Sequence, residues 1–162
     1  MLHTNLMKQL SPIKSSMAKS LRRVLFLLIC LAGQNSALAD NHGLTFSKVW
    51  IAEAPPVSRV LAAYMKIENH TNKEIKISSA TSPAFSSTAF HKTIFEDGLA
   101  KMRHQNSLLI PANDSLELKR GGLHMMLFNP VTPLREGDNV SFSFELDNQN
   151  TITVNASVKK AH

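Results

Sequence analysis

The sequence predicts an all-β fold, an antiparallel sandwich or barrel, from three observations. About eight short apolar or alternating segments recur along the chain, and their lengths suit strands. Turn-forming residues separate these segments, among them Gly121-Gly122, Asn129-Pro130 and Glu136-Gly137-Asp138. In residues 140–146 every even position is apolar and every odd position is polar, which is typical of a half-buried strand. Many short strands joined by turns are the pattern of antiparallel sandwiches and barrels.

The predicted strands follow one another along a single domain. Segment 58–65 has some helical character, but Tyr64, Lys66 and Glu68 alternate with apolar neighbours and favour a strand. The polar residues 147–150 provide a turn between the last two segments and predict a terminal hairpin. The predicted strands cover residues 44–51, 61–68, 74–79, 86–95, 115–119, 123–128, 140–146 and 151–158.

Residues 1–39 predict a cleaved secretory signal. Five lysines and arginines precede an apolar run at 24–32, which is shorter than the roughly 20 residues that span a bilayer. Ala37-Leu38-Ala39 then has the small-x-small pattern of a signal-peptidase site. We expect cleavage after Ala39, a mature domain of residues 40–162 in the periplasm, and no membrane span after cleavage. Met17 is an alternative initiator, and it gives the same mature chain.

Charge and cysteine content exclude several classes of protein. The whole chain carries 18 Lys and Arg against 12 Asp and Glu, a net charge of +6. Residues 40–162 keep 13 of these cations and all 12 carboxylates, which leaves +1 and little basis for nucleic-acid binding. The single cysteine, Cys30, lies in the leader and follows Leu28-Ile29 instead of the small residue of a lipoprotein site. The mature chain therefore has no disulfide, thiol nucleophile, Cys-ligated zinc or blue-copper thiolate.

A histidine and a methionine in segment 123–128 predict half of a metal site. Residues two apart on a strand share a face, so His124 and Met126 project together while Met125 points the other way. We expect Met125 to pack in the core. An imidazole beside a thioether suits a soft ion, and thioethers select Cu(I) over zinc, calcium or magnesium.

A second pair, His91 and Met102, can complete the site. A strand ending near residue 95 can turn at Glu96-Asp97-Gly98 and bring Met102 back towards His91. Each of these side chains taken alone could instead be an ordinary core or surface residue.

The four residues resemble the signature of the PCuAC family of periplasmic copper chaperones, which is His, ten residues, Met, twenty-one residues, His-x-Met. His91, Met102, His124 and Met126 match this spacing without a gap. Segments 62–69, 121–127 and 133–138 also look like the family's sequence.

The resemblance implies a cupredoxin-like β-sandwich that binds Cu(I) through these four side chains and is not an enzyme. It further implies that the protein delivers copper to an acceptor, with the dinuclear copper site of cytochrome c oxidase subunit II or a Sco-like protein as the expected partner. A role in copper storage or tolerance stays open.

Two positions depart from the family's pattern. Lys92 stands where many relatives have Met or Glu, and Arg120 stands where many have Pro. We expect Lys92 to place a cation beside the metal, where it could weaken binding slightly or contact an acidic acceptor.

Two other functions fit the sequence. One is a mononuclear metal-dependent secreted enzyme that uses His91 and His124 with a carboxylate such as Glu96 or Asp97. The other is a metal-free secreted β-sandwich that serves as an interaction module.

Two further histidines bear on metal binding. Cleavage after Ala39 would give the terminus Asp40-Asn41-His42, whose amine, amides and imidazole could bind Cu(II) in a square. His104 follows Met102 by two residues and could crowd the site, but we expect it to face solvent.

Overall fold

The computed structural model describes residues 42–160. The chain divides into two units, residues 1–39 and 40–162, and the described residues all belong to the second. The predictions for the signal, Met17, Cys30 and Asp40-Asn41 lie outside the described residues. Within 42–160, no helix is long and apolar enough to cross a membrane.

Residues 42–160 form ten strands and contain no helix. This confirms the all-β prediction, and each of the eight predicted segments coincides with a strand, although 74–79 and 115–119 each extend one residue beyond β3 and β7. The chain from residue 60 is a strand, as the alternation at Tyr64, Lys66 and Glu68 indicated. Two strands were not predicted, β5 and β6. The ten are β1 (Leu44–Ala52), β2 (Val60–Asn69), β3 (Ile75–Thr81), β4 (Phe85–Glu96), β5 (Leu99–Gln105), β6 (Leu108–Ile110), β7 (Ser115–Leu118), β8 (Leu123–Pro130), β9 (Asn139–Leu146) and β10 (Thr151–Lys159).

The strands are hydrogen-bonded in the order β5-β4-β8-β2-β1-β10-β9-β3-β6, and β7 pairs with β2 beside β8. Strand β2 pairs with β1 on one side and with two strands on the other, where residues 60–63 pair with β8 and residues 65–68 pair with β7. All pairs are antiparallel except β1 and β10, which run parallel. The prediction of antiparallel pairing is therefore correct for every strand pair except β1 and β10. Strands β9 and β10 form the predicted terminal hairpin.

The core lies between the two halves of the curled sheet. Alternate residues of β2 and of β9 are buried, as the period-two pattern requires. The rings of Phe85 on β4 and Phe142 on β9 stack with centroids 6.2 Å apart, so strands distant in the sheet order meet face to face. Each such side chain stabilises the fold by about 1.5–3 kcal/mol through its burial. Phe90, further along β4, is also buried in the core, so the opposite face of β4 at this point is the outer face of the sheet.

Gly43 allows the chain to enter β1 in a conformation that other residues rarely adopt. Its φ is +77°, and a Cβ placed there would collide with the Thr71 side-chain methyl. Thr71 is held in place because its backbone N–H donates to Asn69 Oδ1 over 2.9 Å. We expect Gly43→Ala to lower the free energy of unfolding by about 2–3 kcal/mol, from backbone strain and overpacking together.

Chemical denaturation of Gly43→Ala beside Gly137→Ala tests this expectation. Gly137 also has a positive φ, +92°, but nothing lies within 4 Å of a Cβ placed there. The control should therefore lose about 1 kcal/mol, the conformational part alone. Equal losses would show that the Thr71 contact does not contribute.

Candidate metal centre

Three adjacent strands, β5, β4 and β8, carry the candidate ligands, and β4 lies in the middle. The chain turns at Asp97 and Gly98, both with positive φ, and β5 runs back antiparallel to β4. The turn predicted at Glu96-Asp97-Gly98 thus brings Met102 back alongside the strand that carries His91.

The register places three histidines level with one another across these strands. His91 on β4 lies opposite His124 on β8 and opposite His104 on β5. The ring centroids of His91 and His124 are 6.2 Å apart, and those of His91 and His104 are 5.4 Å apart. His91 therefore lies at the centre of the candidate site.

The two methionines lie one diagonal step from His91, in opposite directions along β4. Met126 pairs with Ala89, and Met102 pairs with Thr93. Because residues two apart share a face, both methionines lie on the face that carries His91. Diagonal neighbours in a sheet are about 7–8 Å apart. The fold gathers the four predicted ligands on one face, and the thioethers must turn towards His91 to share an ion with it.

His124 lies under the surface although it belongs to the outer face of the sheet. Met125 and Leu127 are fully buried in the core, as expected for the opposite face of β8. His124 is only 5% exposed, and its Nδ1 lies 2.9 Å from the Gly122 carbonyl oxygen. Since a carbonyl can only accept, Nδ1 carries the proton and donates it. The lone pair of Nε2 is then available for a metal ion.

His91 has a buried ring nitrogen without a hydrogen-bond partner. This atom is Nδ1, and no other side-chain N or O atom among residues 42–160 is buried and unpartnered. Burial lowers the pKa of His91, and the nearby His104 and His124 lower it further, so the ring stays neutral near neutral pH. An unsatisfied buried polar atom costs about 1–3 kcal/mol, which a bound metal ion would recover. The chemistry of this donor therefore fits a metal ligand.

The methionines differ in exposure. Met102 is 62% exposed on β5, and Met126 is partly buried on β8. A methionine has three rotatable side-chain bonds and adapts its position readily. Met102 is thus the more solvent-exposed of the two candidate thioether ligands, and Met126 lies deeper.

The carboxylates of the enzyme hypothesis do not face the imidazoles. Glu96 is an odd number of residues from His91 and so lies on the other face of β4, where Lys101 and Arg103 pair with it. Asp97 lies in the turn. Within 42–160, no three side chains of His, Cys, Asp or Glu are arranged to hold a metal ion by themselves.

The two departures from the family's pattern, Lys92 and Arg120, lie in different surroundings. The expectation that Lys92 lies beside the metal is wrong, because alternation along β4 puts Lys92 on the face opposite to His91. The Arg120 guanidinium lies 5.2 Å from the centroid of the Trp50 ring and 6.0 Å from that of Tyr64. This cation–π contact fixes the chain just before the turn that leads to His124.

His104 also lies on this face, although the sequence analysis did not count it among the ligands. Its side chain is exposed, as expected, but its ring meets His91 edge-on at an interplanar angle of 86°. His104 and Met102 are two residues apart, as His124 and Met126 are, and this spacing indicates that the two side chains share a face of a strand. Recognition of β5 as a strand would have placed His104 on the metal face.

Two other histidines make contacts outside this face. His70 Nε2 lies 3.0 Å from Thr45 Oγ1, and His42 Nδ1 lies 3.3 Å from Asn150 Nδ2. The predicted Cu(II) terminus includes Asp40 and Asn41, which lie outside the described residues.

A curled β-sandwich with paired histidines and methionines on one outer face defines a class, that of the PCuAC-like copper-binding domains. Residues 44–158 match the family described as "Putative lipoprotein LpqE-like". The chain belongs to this family, and the resemblance to PCuAC domains and the cupredoxin-like fold are confirmed.

Comparisons with individual proteins agree with this assignment. The "Putative lipoprotein Lxx21020" of Leifsonia xyli subsp. xyli is 32% identical over 118 residues, which cover 72% of this chain and 70% of the relative. The solution structure of CuI-DR1885 from Deinococcus radiodurans has a TM-score of 0.61 and 32% identity, and the match covers 80% of this chain and 86% of that one. The copper-bound PCuAC domain from PmoF2 has a TM-score of 0.63 with 15% identity, over 74% of this chain and 94% of that one, and shows likeness in fold.

Proposed function

We propose that the protein is an exported copper chaperone, not an enzyme, that holds Cu(I) and passes it to an acceptor. Its ligands are His91, Met102, His124 and Met126. The observation that carries the proposal is the buried, unpartnered Nδ1 of His91, which lies opposite His124 on a face that also carries both thioethers.

The donor set favours Cu(I) for two reasons. Two imidazoles and two thioethers are neutral, so they leave the charge of the ion uncompensated and favour the lower oxidation state. Thioethers are also soft donors that select Cu(I) over harder ions. Since a thioether binds without losing a proton, protons compete for the imidazoles alone.

The exposures of the ligands suggest the order in which copper is released. Met102 lies on an exposed strand, whereas His124 is buried and fixed by the Gly122 carbonyl. An incoming donor from an acceptor displaces the thioether of Met102 first, and the buried His124 holds the ion until the new bonds have formed. Transfer therefore proceeds by ligand exchange, and no covalent bond of the protein changes.

The relatives support this function and its location. A relative that is 32% identical binds Cu(I) in its solved structure, and a copper-bound PCuAC domain has the same fold. The family's description as lipoproteins agrees with export, and the signal predicted at residues 1–39 directs the chain to the periplasm. The acceptor we propose is the dinuclear copper site of cytochrome c oxidase subunit II, or a Sco-like protein.

An anaerobic competition titration of Cu(I) against a chromogenic chelator tests the proposal. The chain from residue 40 onward contains every described contact and serves as the starting protein. We expect one tight equivalent, and we expect the Met102→Leu/Met126→Leu double variant to bind at least about 100-fold more weakly because both soft donors are gone.

The matched control is Met125→Leu on the same strand. Met125 is fully buried in the core on the opposite face, so Cu(I) affinity should not change. Tight binding that survives the double variant would move the metal to other donors and favour the enzyme hypothesis. The absence of any tight site would favour the metal-free interaction module.

A further inference from the structure

Three imidazoles lie side by side on the metal face, one more than the proposed Cu(I) site uses. His104, His91 and His124 occupy paired positions on β5, β4 and β8, with centroid separations of 5.4 and 6.2 Å. The proposed thioether ligands lie one step further along the strands. The register therefore groups the histidines more closely than it groups the four Cu(I) ligands.

These separations match those of imidazoles that share one ion. With metal–nitrogen distances of about 2.0 Å, two imidazoles on one ion have ring centroids about 5–6 Å apart. His91 meets this condition with His104 and nearly meets it with His124. The buried Nδ1 of His91 lacks a hydrogen-bond partner. Nε2 of His124 has a lone pair for a metal ion, because Nδ1 of that ring donates to the Gly122 carbonyl.

We propose that His91, His104 and His124 form a three-imidazole site for Cu(II) that overlaps the Cu(I) site. The proposal extends the copper-binding function above by a second oxidation state, supplied to the protein as Cu(II), and involves no redox step. Imidazole nitrogen suits Cu(II), and among divalent first-row ions a given nitrogen site binds Cu(II) most tightly.

Strand β5 thus presents alternative donors from one face. Met102 supplies a thioether to Cu(I), and His104, two residues further on, supplies an imidazole to Cu(II). His104 has to rotate, because no three such groups among residues 42–160 surround a common point as they stand. Its side chain is exposed, so the rotation exchanges its edge-on contact with the His91 ring for a bond to the ion.

The test measures Cu(II) and Cu(I) binding separately, with the metal alone as probe. All proteins carry His42→Asn, since a free terminus at Asp40 could bind Cu(II) through His42. In this background we compare His104→Asn and His104→Gln with His70→Asn, a control that changes a histidine bonded to Thr45 outside the site. Circular dichroism checks that each variant is folded.

We expect both His104 variants to bind Cu(II) at least about tenfold more weakly, while Cu(I) affinity changes by less than about threefold. Electron spin-echo modulation should count three imidazoles on Cu(II) in the background protein and two in the variants. The His70 control should match the background protein in both measurements.

Several results would overturn the proposal. Unchanged Cu(II) affinity and imidazole count in the His104 variants would remove His104 from the site. Equal losses of Cu(I) and Cu(II) affinity would show that His104 binds both ions. Tighter binding of Zn(II) than of Cu(II) would assign the site to another metal. Failure of the chaperone proposal appears separately, as a missing tight Cu(I) equivalent in the background protein.

Discussion

Replacing His91 with phenylalanine is expected to abolish tight Cu(I) binding and to stabilise the metal-free protein. His91 lies at the centre of the site, so its loss should weaken Cu(I) binding by about 1,000-fold or more, equivalent to about 4 kcal/mol. Its buried Nδ1 has no partner in the metal-free protein, and removing such an atom relieves a desolvation cost. Phenylalanine has a similar ring and a high preference for strands. The free energy of unfolding should therefore rise by about 1 kcal/mol.

The matched control is His124→Phe on the facing strand. This change also removes a proposed ligand, but His124 donates a hydrogen bond to the Gly122 carbonyl, which the Thr93 N–H contacts as well. Its loss should lower the free energy of unfolding by about 0.5–1.5 kcal/mol. Denaturation of the metal-free variants and Cu(I) titration of each separate the two effects. If both variants lose stability equally, the unpartnered nitrogen of His91 carries no cost.

A cost of this kind explains why a binding site can oppose folding. The metal-free protein keeps a buried donor unsatisfied, and the bound ion recovers that free energy. The same nitrogen could not bind the ion if a protein group already formed a hydrogen bond with its lone pair. Stability and affinity are therefore expected to move in opposite directions at His91 and in the same direction at His124.

Most of the fold follows from the period-two pattern, because nearly every strand buries one face. Strand β9 alternates between buried and partly exposed residues, and the sequence shows this directly. Strand β5 was missed because six of its seven residues are exposed, so no apolar periodicity marks it. Its place in the sheet depends on pairing with β4, which is a long-range property. The parallel pairing of β1 and β10 also joins residues far apart in sequence and leaves no local signal.

The site was only partly predictable for the same reason. The spacing of His124 and Met126 fixes their common face within one strand, and Met125 is buried as that spacing requires. The relation of His91 to His104 depends on the register of a hairpin, which no single strand reveals. The position of Lys92 on the opposite face follows from simple alternation, which outweighs its proximity to His91 in sequence.

Asn69 is a buried polar residue outside the metal face that connects two segments of the chain by hydrogen bonds. It is 2% exposed at the end of β2. Its Nδ2 lies 2.8 Å from the Lys73 carbonyl oxygen, 3.1 Å from that of Ile110 and 3.0 Å from that of Pro111. Its Oδ1 accepts the N–H of Thr71. One side chain thus satisfies backbone groups of two separate loops.

Replacing Asn69 with alanine is expected to lower the free energy of unfolding by about 3 kcal/mol. The change removes the amide donor from the Ile110 and Pro111 carbonyl groups and the acceptor from the Thr71 N–H, whereas the Lys73 carbonyl keeps the Thr71 hydroxyl as a donor. Each group left without a partner costs about 1–3 kcal/mol where water does not reach it. Denaturation with Asn72→Ala as control tests this, because Asn72 is exposed in the same turn and should cost less than about 0.5 kcal/mol. Cu(I) affinity should stay unchanged, since the hydrogen-bond partners of Asn69 lie outside β4, β5 and β8. A loss below about 1 kcal/mol would mean that water replaces the amide, and a loss of copper affinity would mean that this end of the sheet is coupled to the site.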